Sequence, residues 1–113
     1  MSIVDKMRKA RESTFDVGSV TLTVRRPTDW DALSMKYSSR QDAILGVAGF
    51  IVNWAGVTEQ DLFPGGNADP VPFDEDIFAE WLKDKPEHWA AIIDKVKNLY
   101  TSHSEKLEDV SKN

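Results

Sequence analysis

Polar and apolar positions change period along this chain of 113 residues. Phe15, Val17, Val20, Leu22 and Val24 alternate with polar neighbours, the period of two that turns one side of a strand pair toward a core. Gly18-Ser19 falls between the two halves, and glycine at the first central position suits a type II′ turn. That register sets Val17 opposite Val20 and Phe15 opposite Leu22. Arg25-Arg26-Pro27 stops the second strand, because proline has no ladder donor and pushes Arg26 into extended backbone.

Helical spacing follows. Thr28 reads as an N-cap, with Asp29 and Asp31 against the positive end of the helix dipole. Trp30, Leu33 and Tyr37 recur at i, i+3 and i+7, one core-facing side of a helix. Ser38, three before Gln41, suits a capping box that restarts a second helix; one bent helix from Asp29 to Trp54 is the alternative. Residues 43–52 are apolar around most of a helical circumference, so this helix is central to the core or shared with another subunit. Gly46 and Gly49 each cost about 1 kcal/mol of helix propensity relative to alanine. They point to another backbone packed against them, or else to a hinge or an oligomer seam.

Residues 58–72 read as a long loop, with dense turn chemistry at Pro64-Gly65-Gly66-Asn67. Asp74 caps a short helix with the stripe Ile77, Phe78, Trp81 and Leu82, and Phe73 is placed to staple onto it. Pro86 sits in the first turn of a last helix that carries Trp89, Ile92, Ile93, Val96, Leu99 and Tyr100 at helical spacing. The sum is an α+β fold, predominantly helical with about four helices and an N-terminal β-hairpin. Residues 1–12 are a polar leader, equally a short helix or an arm. Residues 13–100 are a single globular domain, and 101–113 a polar, flexible tail.

Composition narrows the chemistry. No cysteine is present, which removes disulfides, thiolate metal sites and cysteine nucleophiles together and suits a reducing compartment. The leader has no apolar stretch behind its charges, so no secretory signal is expected. The apolar run 43–52 is half the length of a membrane-spanning helix, so no membrane association is expected either. His88 and His103 lie too far apart for a shared metal motif and read as surface histidines. Asp74, Glu75, Asp76 and Glu80 suit the start of a helix better than an acid-base pair or a cation site. Neither catalysis nor a cofactor is expected.

Charge is unevenly spread. Lys6, Arg8, Lys9, Arg11, Arg25 and Arg26 outweigh three acidic residues in the first 26, whereas 59–87 hold nine acidic residues against Lys83 and Lys85. Such polarity suits oriented contacts, including contacts with further copies of the chain. The net charge of −5 argues against general nucleic-acid binding. A small regulator acting on nucleic acid through the basic N-terminal third remains the alternative function.

The order of features resembles the small tail assembly chaperones of long-tailed bacteriophages. A hairpin leads through Val24-Arg25-Arg26-Pro27-Thr28 into helix, and an apolar helix ends in Asn53-Trp54-Ala55-Gly56-Val57. A glycine-rich loop then closes on Pro70-Val71-Pro72-Phe73-Asp74, and a helix, a proline and a last amphipathic helix complete the match over roughly residues 13–100. The resemblance implies a non-enzymatic protein of the host bacterial cytoplasm. It would keep the tape measure protein soluble and help recruit tail tube protein subunits, with homo-oligomers a further expectation. Trp54, Phe63, Phe73 and Leu107 are the candidate partner contacts, Trp54 being equally a core residue.

Overall fold

The computed structural model describes residues 1–111, with side chains as far as Leu107. The hairpin forms in the register its alternation dictates. β1 (Glu12–Val17) pairs antiparallel with β2 (Val20–Arg25), Phe15 opposite Leu22 and Val17 opposite Val20. Gly18 takes a φ of +58° in the turn, and no non-glycine residue among those described has positive φ, as a type II′ turn requires.

A third strand, β3 (Ile51–Ala55), pairs antiparallel with β2 and makes β2 the centre of a three-stranded sheet. This corrects the expected helix through Trp54. Thr23 pairs with Asn53 but Val24 pairs with Ile51, so Val52 is the extra residue of a bulge. The bulge lets Ile51 and Trp54, three apart, both enter the core, a spacing that imitates a helix.

α1 (Ile3–Lys9) precedes the sheet, capped by Ser2 and Asp5 in a reciprocal capping box. α2 (Asp29–Ala32) is a single turn, with Thr28 and Asp31 capping each other in the same way. α3 (Arg40–Ala48) starts at Ser39, one residue after the expected Ser38, and stops at Gly49. A Cβ on Gly46 would run into the ring of Tyr37, so a side chain, and no backbone as expected, occupies the space this glycine leaves.

The expected long loop contains a helical turn, α4 (Glu59–Leu62), and folds back on itself. Thr58 bridges to Pro70, and Val71 N–H donates to the Val57 carbonyl. α5 (Glu75–Lys83) is capped by Asp74, whose carboxylate accepts from Asp76 and Ile77 N–H. Phe73 lies 5.7 Å from Phe78, residue N′ against residue N4, so the staple forms as expected. α6 (Pro86–Ser111) continues helical through the segment expected to be a flexible tail, whose last two residues lie outside the described ones. Among the described residues six helices and three strands thus replace the expected hairpin and about four helices.

Val17, Val20, Leu22, Val24, Ile51 and Trp54 turn inward from the sheet onto Ile44 and Val47 of α3, Phe78, Trp81 and Leu82 of α5, and Ile92 and Val96 of α6. One sheet face is therefore covered by three helices, the two-layer solution for a sheet with a single apolar side.

Candidate binding surfaces

The four candidate partner contacts do not form one surface. Trp54 is only 6% exposed; its ring meets Phe73, Phe78 and Trp81 edge-on at about 6 Å, and its indole N–H donates to the Val71 carbonyl. It is a core residue and no exposed anchor, because β3 carries it into the sheet interior instead of ending a helix at the surface. Phe73 is half-buried against the same cluster. Leu107 lies on the exposed outer part of α6. Phe63 is 50% exposed and stands elsewhere, beside α4.

Phe63 lines a furrow between α4 and α5 with an open volume of about 580 Å³. Leu62, Phe63, Ile77 and Trp81 supply apolar walls, and Asp61, Asp76, Glu80 and Asp84 supply carboxylates, with Lys85 adding a cation. The Asp61 carboxylate accepts from both the N–H and the hydroxyl of Thr58, at 2.8 and 2.9 Å. Those two bonds, assisted by the positive charge of Lys85, hold its pKa below the usual carboxylate range. Glu80 is bonded to Lys83 at 2.7 Å. Four of the nine acidic residues between 59 and 87 thereby line one furrow.

α2 presents a second apolar patch. Trp30 is 80% and Leu33 74% exposed, where helical spacing placed both in the core. The reason is length: the helix ends after one turn, the chain bends through residues 33–39, and Tyr37 no longer shares its axis. α2 is nevertheless tied to α6 through Asp29. The Tyr100 hydroxyl of α6 donates to Asp29 at 3.0 Å, and His103 Nε2 lies 3.5 Å from the same oxygen. Two bulky apolar side chains are therefore displayed to water on an anchored turn, which sequence periodicity alone does not disclose.

The histidines are less superficial than expected. His88 stacks on Trp81 with ring centres 5.5 Å apart, and His103 is half-buried beside Tyr100. Among the described residues no group of three or more His, Cys, Asp or Glu could hold a metal ion, and no helix is long and apolar enough to cross a membrane. No family model matches the chain, and no curated protein or solved structure matches it either.

Proposed function

We propose that this protein is a non-enzymatic tail assembly chaperone of the kind found in long-tailed bacteriophages, acting in the host bacterial cytoplasm. Its task is to keep the tape measure protein soluble and to help recruit tail tube subunits around it. The observation that carries the reading is the Trp30–Leu33 pair, displayed on a turn that is capped at its start and tied to α6 through Asp29. Large apolar side chains held out on a fixed base suit recognition of a long amphipathic helix by apolar contact, with little ordering required on binding. The choice of family draws on the resemblance in sequence from the hairpin to the last helix.

Co-expression tests the proposal. The tape measure protein should precipitate when made alone and remain in the supernatant beside this chain. Gene order supplies an independent check: the proposal expects coding neighbours for a tail tube protein and a very long helical tape measure protein, and a housekeeping neighbourhood contradicts it. The alternative, a nucleic-acid regulator, draws on Lys6, Arg8 and Lys9 of the exposed helix α1. It expects a gel shift at low salt that weakens steeply as salt rises.

A further inference from the structure

Strand register places two complementary surfaces at opposite ends of the sheet. α1 enters β1 at Glu12, which pairs with Arg25. β3 leaves the sheet at Ala55, opposite Thr21 and beside the hairpin turn, and α4 follows directly. Two further contacts fix the furrow at that turn. Gly56 packs so closely on the Ser19 carbonyl that a Cβ there would lie 2.8 Å from its oxygen, and His88, stacked on Trp81, lies beside Gly18. Six-residue strands separate the two ends by about 20 Å at roughly 3.3 Å per residue.

The surfaces match in chemistry. α1 has no buried residue: Ile3, Val4 and Met7 face solvent, in company with three cations, Lys6, Arg8 and Lys9, against the single carboxylate of Asp5. The furrow offers exposed Phe63 and Ile77 among the carboxylates of Asp61, Asp76, Glu80 and Asp84. Apolar groups meet apolar groups, and cations meet carboxylates. Within one chain only Ala10 and Arg11 separate α1 from β1. Two residues extend about 7 Å and the seven-residue helix about 10 Å more, so α1 cannot lie within its own furrow about 20 Å away.

We propose that α1 of one copy docks in the furrow between α4 and α5 of the next copy. The two surfaces differ, so the contact is heterologous and runs head to tail, producing open chains or closed rings. A seven-residue helix covers little area, so each contact is weak and owes much of its selectivity to the opposed charges. The inference rests on these two surfaces and does not depend on the assembly role.

Sedimentation of the full chain tests it with two double variants. Ile3→Ser with Met7→Ser disables α1, and Phe63→Ser with Ile77→Ser disables the furrow. The wild-type average mass should rise with concentration up to about 1 mM, the weak end of the affinity scale. It should fall back as salt rises from about 0.05 M to about 0.5 M. Each double variant alone should remain monomeric. An equimolar mixture of the two should form a 1:1 pair and nothing larger, because only one intact helix then meets one intact furrow. A wild type that stays monomeric over this range overturns the proposal, as does a mixture without pairs or a double variant that still grows alone. Circular dichroism monitors folding; should the Phe63/Ile77 variant melt early, Glu80→Lys with Asp84→Lys, both exposed, replaces it with the same expected outcome. A chain that stays monomeric yet holds the tape measure protein soluble would refute only this interface. A chain that assembles as described without holding that protein would refute only the proposed function.

Discussion

The indole N–H of Trp54, at the end of β3, donates a 2.8 Å hydrogen bond to the carbonyl of Val71, seventeen residues later. This bond and the bridge between Thr58 and Pro70 close the base of the α4 loop, and the same ring forms the aromatic centre with Phe73, Phe78 and Trp81. Trp54→Phe keeps a ring but leaves the carbonyl unpaired, which should cost about 1–3 kcal/mol. Trp54→Ala also empties the site and should cost about 3–5 kcal/mol. Urea denaturation midpoints distinguish the two; a Trp54→Phe variant as stable as the wild type would mean that the hydrogen bond contributes nothing.

Two loop glycines differ sharply in surroundings. Gly56 has φ of +90° and stands against the Ser19 carbonyl, while Gly65 has φ of +86° with nothing within 4 Å of an added Cβ. Gly65→Ala therefore bears only the left-handed backbone penalty, about 1–2 kcal/mol. Gly56→Ala bears that penalty and a backbone collision as well, and should lower the melting temperature clearly more. Equal melting temperatures for the two variants would contradict the close approach of Gly56 to the hairpin turn.

Both tyrosines should ionise late. The Asp29 carboxylate accepts the Tyr100 hydroxyl and, aided by desolvation, raises its pKa; burial raises that of Tyr37. A group whose folded pKa lies above its unfolded value lends stability below the unfolded pKa, and that stability is lost as pH rises through the folded pKa. The tie between α2 and α6 should therefore loosen only in alkali beyond the ordinary phenol value of about 10. Absorbance titration of the tyrosinate band measures this, and Asp29→Asn should bring one transition back down. A transition at the ordinary phenol value in the wild type would count against the Tyr100–Asp29 bond.

Much of this fold was legible. The hairpin announced itself through strict alternation around Gly18-Ser19, and Thr28, Asp74 and Pro86 each begin a helix where their capping chemistry or fixed backbone dictates. β3 was hidden because its bulge puts inward residues at Ile51 and Trp54, three apart, directly after a genuine apolar helix. Periodicity cannot separate a short buried strand from a buried helix in such a run. Trp30 and Leu33 were misplaced for a different reason: their spacing is helical, but one turn too short to reach the core leaves both in water. Phe63 was legible as a surface aromatic, whereas the furrow around it was not, since α5 contributes Ile77 and Glu80 from well along the chain.

The exposed pair on α2 separates stability from partner holding. Trp30→Ser with Leu33→Ser removes only surface apolar groups, so the unfolding free energy should change by less than about 0.5 kcal/mol per substitution. Ile51→Asp, by contrast, places a charge at a site only 2% exposed and should leave no folded protein. If the double variant unfolds like the buried one, α2 belongs to the core and not to a display surface.

The most direct measurement of the proposed function is the fraction of tape measure protein remaining in the supernatant when it is co-expressed with the wild-type chain or with the folded Trp30→Ser/Leu33→Ser variant. A partner kept soluble by the wild type and precipitated beside the variant is the expected result. A partner that precipitates equally with both, or stays soluble equally with both, would contradict the role of the displayed pair.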